Sequence, residues 1–407
     1  MTERRGLRLL VTVTFNPNQL RAHLEPILDL PEVESVTLVA DVPAPDLPKL
    51  TTVVPSPRLV RVLGRAVAKT VTCVRVARRE QPDWAISYNL VPHGLNARAA
   101  SRWGNGCRTM YHQIGGPVEW LEGGWRSDNG ILGRLPRRSR VVERLLLRSV
   151  RRNTVCVAMG AKGRQGLVDH GVEDARAVVV PPSIDDARFV PAPDAPKPYD
   201  VVSVGSLIPT KQMHVVIEAV ARLRERLPGL RAAIVGEGPL EAELRALAAE
   251  RGVADAVDFL GFRPDVEAVY RDARAFVLAS RYEGLSIALL EAMASGLPAF
   301  VSDVGELRDA VRDGENGWAF PSGDADRLVE LLEPCCASRP AARLGSGAAD
   351  ARALASRPRS RPATPRCSRG AEPRRPPRPG PRGRSPPGRA GGSGRAPGAP
   401  SGSRSSA

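Results

Sequence analysis

This 407-residue sequence lacks a long apolar run, a metal-binding cysteine spacing and a secretion signal. No segment approaches the ~20 consecutive apolar residues that a transmembrane helix needs, so we expect no membrane span. Residues 1–6 lead into the short apolar run 7–13, which predicts a first strand and not a signal peptide. The 6 cysteines include the adjacent Cys335 and Cys336 but no metal-ligand spacing, so we expect reduced thiols in a cytoplasmic protein.

Lysine is absent from the last part of the chain, where the net charge of +15 concentrates. From Pro334 onward, 16 Arg stand against only Asp350 and Glu372, whereas residues 1–333 are nearly neutral. The same segment contains no Ile, Phe, Trp, Tyr, Asn, Gln or His. Because such a composition cannot bury a hydrophobic core, we expect residues 334–407 to form a disordered basic tail of Arg, Pro, Gly, Ser and Ala.

Two origins of this tail are compatible with the sequence. Residues 326–333 have a good amphipathic helix pattern and the composition changes immediately afterwards, which favours a frameshift or an incorrect gene end in GC-rich DNA. The alternative is a genuine basic tail that binds nucleic acid or an anionic membrane. An amphipathic helical segment in another reading frame after Glu333 would support the frameshift. We expect no specific nucleic-acid partner.

Strands and helices alternate along residues 1–333 and predict an α/β fold with two Rossmann-like domains. Six prolines between positions 181 and 198 indicate a linker, so we assign 1–190 to an N-terminal domain and 191–333 to a C-terminal domain. The predicted strands are 7–14, 35–40, 84–88, 108–112, 200–204, 232–235, 257–260, 275–280 and 298–301. The predicted helices include 18–28, 58–80, 93–103, 212–226, 240–251 and 306–312. Two such domains leave a cleft between them, a common place for a ligand site.

Residues 283–298 place two glutamates across a predicted loop-to-helix junction. Gly284 allows a tight turn, and Ser286 is positioned as the N-cap of a helix that ends at Gly296. The unpaired N–H groups and the positive dipole end of such a helix suit a phosphate. Glu291 is more than one turn inside the helix, where its side chain leans back toward the N-terminus and can reach a ribose beside that phosphate.

This segment resembles the paired-glutamate signature of retaining glycosyltransferases of the GT-B fold, family 4. The resemblance implies two Rossmann-like domains that face each other across a cleft. It also implies that Glu283 contacts the sugar of a nucleotide-sugar donor and that Glu291 binds its ribose. Gly284, Leu285 and Ser286 would bind the donor alongside them. The alternative is a helix of an unrelated α/β protein with both glutamates on the surface.

The segment 202–211 combines a strand, a glycine turn and a lysine before a helix. Gly205 allows the backbone to approach an anion, and Lys211 adds a positive charge. It is similar to the family's phosphate-binding segment, in which an Arg after the glycine and a Lys five positions later hold the diphosphate. Lys211 matches this Lys, but Ser206 stands at the Arg position, so one charged group is missing. An exposed lysine at a helix start is the alternative.

Two further loops resemble donor-binding segments of the family. Gly236 belongs to a Gly-x-Gly sequence after the strand 232–235, but Glu241 replaces the third glycine of a dinucleotide fingerprint. Arg263 follows a Leu-Gly-Phe sequence. It would either flank the nucleotide base by stacking or occupy a surface turn.

The N-terminal half supplies candidates for the acceptor side. His112 ends a predicted strand ahead of Gly115 and Gly116, and it resembles the family position that faces the reacting sugar. His93, in a Pro-His-Gly sequence, is the alternative, and either histidine would otherwise cap a helix or satisfy a backbone group. Residues 15–18 replace the family's glycine-rich first loop, so the sequence does not define the acceptor.

Arginines recur at near-helical spacing at positions 140, 144, 148 and 151, opposite the apolar residues Val142, Leu145, Leu146 and Val150. One interpretation is a solvated helix face. The other is a peripheral contact with the inner face of a membrane through Arg140, Arg144 and Arg148. The Asp-x-Asp sequence 324–326 is predicted to cap a helix, so we expect no metal and no cofactor.

The combined motifs predict a glycosyltransferase that moves a sugar, with retention, from a nucleotide-diphosphate sugar to a glycan or lipid-linked acceptor. Such a reaction serves the synthesis of a cell-surface polysaccharide or glycolipid. The catalytic role is assigned to Glu283, Lys211 and His112, with Lys211 stabilising the charge that develops on the diphosphate. One alternative is a sugar-nucleotide epimerase or hydrolase on the same scaffold. The other is a truncated protein that binds a nucleotide sugar without turnover.

Overall fold

Two parallel β-sheets flanked by helices make up the described part of the chain, which in the computed structural model comprises residues 6–121, 139–193, 195–337 and 347–355. Both sheets belong to one compact unit. The strand–helix alternation and the α/β class that the sequence predicts are confirmed.

The first sheet has the spatial order β3-β2-β1-β4-β5-β6-β7 within the described residues. Its strands are β1 (Leu7–Thr12), β2 (Val33–Val39), β3 (Leu50–Val53), β4 (Trp84–Tyr88), β5 (Arg108–Gln113), β6 (Val155–Ala158) and β7 (Ala177–Val179). Its helices are α1 (Pro17–Leu28), α2 (Pro57–Glu80), α3 (Leu95–Ala100), α4 (Arg140–Val150) and α5 (Ala161–Asp169). In the parallel register, Leu10 of β1 lies opposite Thr37 of β2 and Ala85 of β4.

The second sheet has the spatial order β10-β9-β8-β11-β12-β13, and its described strand pairs are also parallel. Its strands are β8 (Tyr199–Val204), β9 (Ala232–Val235), β10 (Val257–Phe259), β11 (Ala273–Leu278), β12 (Ala299–Ser302) and β13 (Gly317–Phe320). Its helices are α6 (Met213–Arg224), α7 (Glu241–Glu250), α8 (Val266–Arg271), α9 (Ile287–Ala294), α10 (Leu307–Ala310), α11 (Ala325–Ala337) and α12 (Gly347–Ala355). In both sheets the strand order reverses beside the first strand, and ligands of such sheets bind outside the carboxyl ends of the strands at that point.

Helix α2 is not the continuous helix that the sequence predicts. Gly64 has a φ of 74°, a left-handed value that interrupts the helical backbone. The second half of α2 buries Ala68, Cys73 and Ala77 against the first sheet, whereas most of the turn before Gly64 is exposed. The helix therefore divides into a packed half and a solvent-facing half.

The expectation that order ends at Glu333 is wrong for part of the tail. Helix α11 continues through Pro334 to Ala337 and buries Cys335 and Cys336 in the core of the second sheet. Helix α12 follows and packs against α9, with Ala351 fully buried. Small cysteine and alanine side chains, together with Leu354 of α12, supply this packing. The remaining tail residues, 338–346 and 356–407, lie outside the described residues.

In the ranges that the structure describes, no helix is both long and apolar enough to cross a membrane.

Candidate active site

A cavity of about 330 Å³ lies between the carboxyl ends of the two sheets. The first sheet contributes the loop after β1, the start of α1, Ile114 after β5 and Met159 after β6. The second sheet contributes the loops after β8, β9, β10 and β11, together with the first turns of α9. The predicted donor residues that line the cavity are Gly205, Ser206, Lys211, Gly236, Arg263, Glu283, Leu285, Ser286 and Glu291. The structure therefore brings together residues that are up to 86 positions apart in the second half of the chain.

Glu283 and Lys211 form an ion pair on the cavity wall. The Lys211 Nζ atom donates to Glu283 Oε2 at 2.5 Å, and Ser280 Oγ donates to the same oxygen at 2.9 Å. The side chains of Lys211 and Glu283 are 19% and 15% exposed, so solvent screens the pair only in part. Each charge has the other as a partner, so a ligand at this wall of the cavity meets an ion pair and not a lone charge.

The loop that carries Glu283 is held by close backbone contacts on two sides. A Cβ atom on Gly284 would lie 2.0 Å from the carbonyl oxygen of Ile114. A Cβ atom on Gly305 would lie 1.8 Å from the carbonyl oxygen of Glu283. Because only glycine allows these approaches, the Glu283 carboxylate is fixed relative to both sheets.

The N-terminus of α9 faces the cavity as the sequence predicts. Ser286 occupies the N-cap position with an extended backbone, but its side chain makes no capping hydrogen bond. The first backbone N–H groups of a helix have no intrahelical acceptor, and the dipole adds partial positive charge at this end. Leu285, Ser286 and Ile287 all line the cavity, so this helix start can bind a phosphate group.

Glu291 forms the inner end of the cavity, where it is only 8% exposed. Tyr270 Oη donates to Glu291 Oε2 at 3.2 Å. Burial raises the pKa of Glu291 to about 7, although the positive charge of Arg188 and the Tyr270 hydrogen bond act in the opposite direction. The carboxyl group can therefore exchange a proton near neutral pH while it accepts a hydrogen bond from a ligand hydroxyl.

Gly205 and Gly236 belong to two adjacent loops whose backbones touch. Gly236 has a φ of 137°, and a Cβ atom there would lie 2.0 Å from the carbonyl oxygen of Gly205. Ser206, at the position where the resembling family has Arg, is exposed at the cavity edge. Among the described residues of the cavity lining, Lys211 and Arg263 are the lysine and arginine that offer positive charge.

Arg263 is held at the rim by contacts from both sheets. Its guanidinium donates to Asp265 at 2.8 Å and 2.7 Å, and its backbone carbonyl accepts a 3.1 Å hydrogen bond from Asn18 of α1. These contacts fix the residue at the edge of the cavity. Its predicted position beside a nucleotide base stays a prediction.

The predicted acceptor-side histidines do not line the cavity. His112 packs against Tyr88 with 4.5 Å between ring centroids, and burial followed by the charge of His23 lowers its pKa to about 3. His93 is buried, 3.3 Å from the Thr12 hydroxyl, and burial lowers its pKa to about 3 as well. His23 of α1, which the sequence reasoning missed, is the histidine among the described lining residues.

The loop of Gly115 and Gly116 lies beside the Glu283 loop, and Glu119 organises it. Glu119 Oε1 accepts hydrogen bonds from the backbone N–H groups of Ile114 and Gly115, each at 2.6 Å. Burial raises the pKa of Glu119 to about 7, against the lowering effect of its hydrogen bonds. A Cβ atom on Gly116 would lie 3.9 Å from the Glu283 carbonyl oxygen. Gly115 and Gly116 thus bring the first sheet close to Glu283.

The sequence contains a local signal for the first-sheet part of the lining, at the start of α1. Asn16 and Gln19 form a capping box, in which the Asn16 side chain accepts from the Gln19 N–H and the Gln19 side chain accepts from the Asn16 N–H. This pattern fixes the start of α1 directly after β1. Asn18 and His23 then face the cavity from the helix.

In the described ranges, no group of three His, Cys, Asp or Glu side chains is arranged to hold a metal ion. Asp324 instead caps α11, since its side chain accepts from the Arg327 N–H at 2.9 Å.

Comparison with known sequences finds a family match in the second half of the chain. Residues 184–344 match the family described as Glycosyl transferases group 1. The D-inositol 3-phosphate glycosyltransferase of Acidothermus cellulolyticus is 38% identical over 194 residues, which cover 41% of this chain and 43% of the relative. The GDP-mannose-dependent alpha-(1-6)-phosphatidylinositol monomannoside mannosyltransferase of Mycolicibacterium smegmatis is 33% identical over 187 residues, which cover 41% and 49% of the two chains. The chain thus spans less than half the length of these curated relatives.

Comparison with solved structures extends the similarity to both sheets. The crystal structure of Anabaena HepE in complex with UDP and glucose superposes with a TM-score of 0.69 and 17% sequence identity. The match covers 86% of this chain and 96% of HepE. Such a likeness establishes the fold, two Rossmann-like halves across a cleft. The chain therefore has the GT-B fold, and its residues 184–344 match the glycosyl transferases group 1 family.

Proposed function

We propose that the protein is a retaining glycosyltransferase of family 4, which moves a sugar from a nucleotide-diphosphate sugar to a glycan or lipid-linked acceptor. The observation that carries this proposal is the single cavity lined by Lys211, the N-terminus of α9 and the buried Glu291. A cation, a helix start and a carboxylate are the groups that a pyrophosphate and a ribose need. The group 1 match over residues 184–344 and the UDP complex of the HepE structure support the same donor class.

In this proposal Lys211 and the amides near Leu285 and Ser286 stabilise the charge that develops on the departing diphosphate. Groups placed in advance around developing charge usually give the largest single rate effect. Lys211 leaves Glu283 for the diphosphate, and Glu283 is then available to the sugar hydroxyls. No carboxylate is assigned as a covalent nucleophile, so the transfer is proposed to occur on one face of the sugar, with help from the leaving group.

His112 keeps a proposed role in orienting the sugar or the acceptor, although His23, and not His112, is among the described lining residues of the cavity. The uncharged imidazole that follows from its low pKa is suited to hydrogen bonding and not to charge stabilisation. Donor affinity and turnover measured in His112→Ala and in His23→Ala will distinguish the roles of the two residues.

The donor is tested by thermal shift with a panel of UDP-, GDP- and ADP-sugars. One nucleotide should raise the Tm of the wild type and not of Glu291→Ala, since a ligand that binds only the folded state stabilises it. Product analysis with and without acceptor then distinguishes a transferase from an epimerase or a hydrolase. A protein that binds donor but forms no product under any condition would support the non-catalytic alternative.

A membrane contact is proposed as part of the same function, because a lipid-linked acceptor requires it. Helix α4 exposes Val141 and Leu145 beside Arg140, Arg144 and Arg148, although the sequence placed Leu145 on the face opposite the arginines. A helix face that exposes both apolar and basic side chains is typical of helices that lie on anionic membranes. The mannosyltransferase of Mycolicibacterium smegmatis, which is similar to the second half of the chain, carries phosphatidylinositol monomannoside in its name.

Cosedimentation with phosphatidylglycerol and phosphatidylcholine vesicles tests this contact. We expect binding to the anionic vesicles, and we expect the triple change of Arg140, Arg144 and Arg148 to Gln to weaken it by at least about tenfold. Arg222→Gln, Arg245→Gln and Arg271→Gln combined serve as a control of equal charge on the second sheet. If both triple variants lose vesicle binding equally, a specific contact through the basic face of α4 is excluded.

A further inference from the structure

Glu306 is a buried acidic residue that connects the two sheets outside the cavity lining. It lies between β12 and α10 of the second sheet, is only 3% exposed, and accepts from the Gly163 N–H of α5 at 2.6 Å through Oε1. The Gly160 N–H also hydrogen bonds to this carboxylate. Helix α5 belongs to the first sheet, so one side chain of the second half of the chain caps a helix of the first half.

The surroundings of Glu306 fit a carboxylate at the start of a helix. Gly160 is the N-cap residue of α5 and has no side chain to cap the helix itself. The unpaired N–H groups and positive dipole end of α5 are therefore satisfied by Glu306. Lys162, in the first turn, adds an attractive charge, whereas Asp309 is the second carboxylate nearby.

Two glycines make room for this contact. A Cβ atom on Gly160 would lie 2.7 Å from Glu306 Cδ, and one on Gly163 would lie 2.7 Å from Glu306 Oε1. Gly163 is a poor helix former inside the first turn of α5, where alanine would otherwise be favoured. The close approach of Glu306 is a physical reason for glycine at both positions.

The same segment supports the catalytic loop. Gly305, directly before Glu306, packs on the Glu283 backbone and has a φ of 57°. Glu283 is followed by Gly284, which in turn packs on Ile114 and Met159 of the first sheet. The backbone segment that carries Glu306 is therefore in direct contact with the backbone of Glu283.

We propose that Glu306 is a latch between the two halves of the GT-B fold: its carboxylate, bound to the first turn of α5, positions the Glu283–Gly284 loop over the cavity. Glu306 is thus a positioning residue that touches no substrate. Its catalytic consequence rests on the proposed transferase function, whereas the latch itself exists independently of which reaction the cavity performs.

The latch is tested with Glu306→Ala, Glu306→Gln, Gly163→Ala and the double variant Glu306→Ala/Gly163→Ala in the full chain. Amide hydrogen exchange is measured in the first turn of α5. We expect Glu306→Ala and Gly163→Ala each to raise the exchange rate there by about tenfold, while α6 is unchanged. Glu306→Gln keeps an acceptor oxygen, so its exchange rate in α5 should lie between the rates of the wild type and Glu306→Ala. The control Glu173→Gln changes an exposed acid near α5 and should have no effect.

The double variant decides whether the two residues share one contact. If they do, it exchanges no faster than the single variants, since the second change removes an interaction that is already lost. The proposal is overturned if the increases of the two single variants multiply in the double variant, or if Glu306→Ala leaves the exchange rate in α5 unchanged. A variant that is misfolded as a whole is recognised because amide exchange then also increases in α6. In that case the milder variant Glu306→Gln decides the test.

A second readout connects the latch to the reaction. Glu306→Ala should lower kcat by about tenfold or more and leave the Kd of the nucleotide within about twofold, because Glu306 is not among the described lining residues of the cavity. A variant that loses nucleotide affinity and kcat equally would show a general structural role instead. If the wild type transfers no sugar at all, the proposed function fails, and the exchange measurement still reports on the latch.

Discussion

At the residue scale, the ion pair of Lys211 and Glu283 determines how the cavity meets a ligand. Lys211→Ala should lower kcat by on the order of 10²-fold, because it removes a charge that stabilises the departing diphosphate. Steady-state kinetics with the identified donor measures this effect. Lys197→Ala is a suitable control, since Lys197 binds the Arg271 carbonyl far from the cavity lining. Unchanged kinetics in a folded Lys211→Ala protein would contradict the assigned role.

Glu291 gives a prediction about pH. Burial raises its pKa to about 7, so the free protein holds a neutral carboxyl group below that pH and a carboxylate above it. Ribose hydroxyls donate more strongly to a carboxylate, so donor affinity should rise as pH increases. Between pH 6 and pH 8 the charged fraction changes about tenfold, and the Kd of the donor should fall by about the same factor.

Isothermal titration with a nucleotide sugar measures that trend, and Glu291→Gln should abolish it. His23 does not confound the experiment, because burial lowers its pKa to about 4 and it stays uncharged over this range. Glu119 also has a pKa near 7, but it is not part of the described cavity lining. A pH dependence that survives in Glu291→Gln would point to Glu119 and not to Glu291.

At the element scale, the junction of β11 and α9 depends on backbone proximity. Gly284→Ala should destabilise the protein by about 1–3 kcal/mol, because its Cβ atom would lie 2.0 Å from the Ile114 carbonyl oxygen. Urea denaturation measures the change. Gly229→Ala is the matched control, since a Cβ atom there has no neighbour within 4 Å. Equal stability of the two variants would mean that the two sheets do not meet at Gly284.

Helix α12 supplies a second prediction at this scale. Asp350 accepts from Arg312 at 2.8 Å and from the buried Asn316 at 2.9 Å. Asp350→Ala should cost about 1–3 kcal/mol of unfolding free energy, because it leaves a buried amide with one partner fewer. Asp326→Ala, at an 84% exposed side chain, should have little effect. A neutral Asp350→Ala would argue against the docking of α12 on the second sheet.

Strand length alone does not explain which strands the sequence predicted. The four-residue β9 and the five-residue β4 were predicted with the bounds that the structure has, because mostly apolar runs define them. The strands β3, β6, β7 and β13, of three or four residues, were not identified, since such short segments do not establish a period. Helix α12 was missed because the overall composition of residues 334–407 predicted disorder, and this average concealed the helix of residues 347–355.

At the scale of the whole molecule, the sequence predicted the second-sheet part of the cavity lining and not the surface that faces it. The motifs around Lys211 and around Glu291 are each local in sequence, so the spacing within each motif was informative. His23 and Met159 enter the lining because two sheets approach each other, a property of tertiary packing that no local pattern contains. The contact between Glu306 and α5 spans 143 residues and has the same origin.

The ion pair of Lys211 and Glu283 bears on which molecules suit the cavity. A simple anion such as inorganic phosphate attracts the lysine but repels the carboxylate, which is only 15% exposed. A molecule that carries both an anion and hydroxyl groups offers an acceptor to the lysine and donors to the carboxylate at once. We therefore expect simple anions to be weaker ligands of this cavity than a nucleotide sugar, the donor class proposed above.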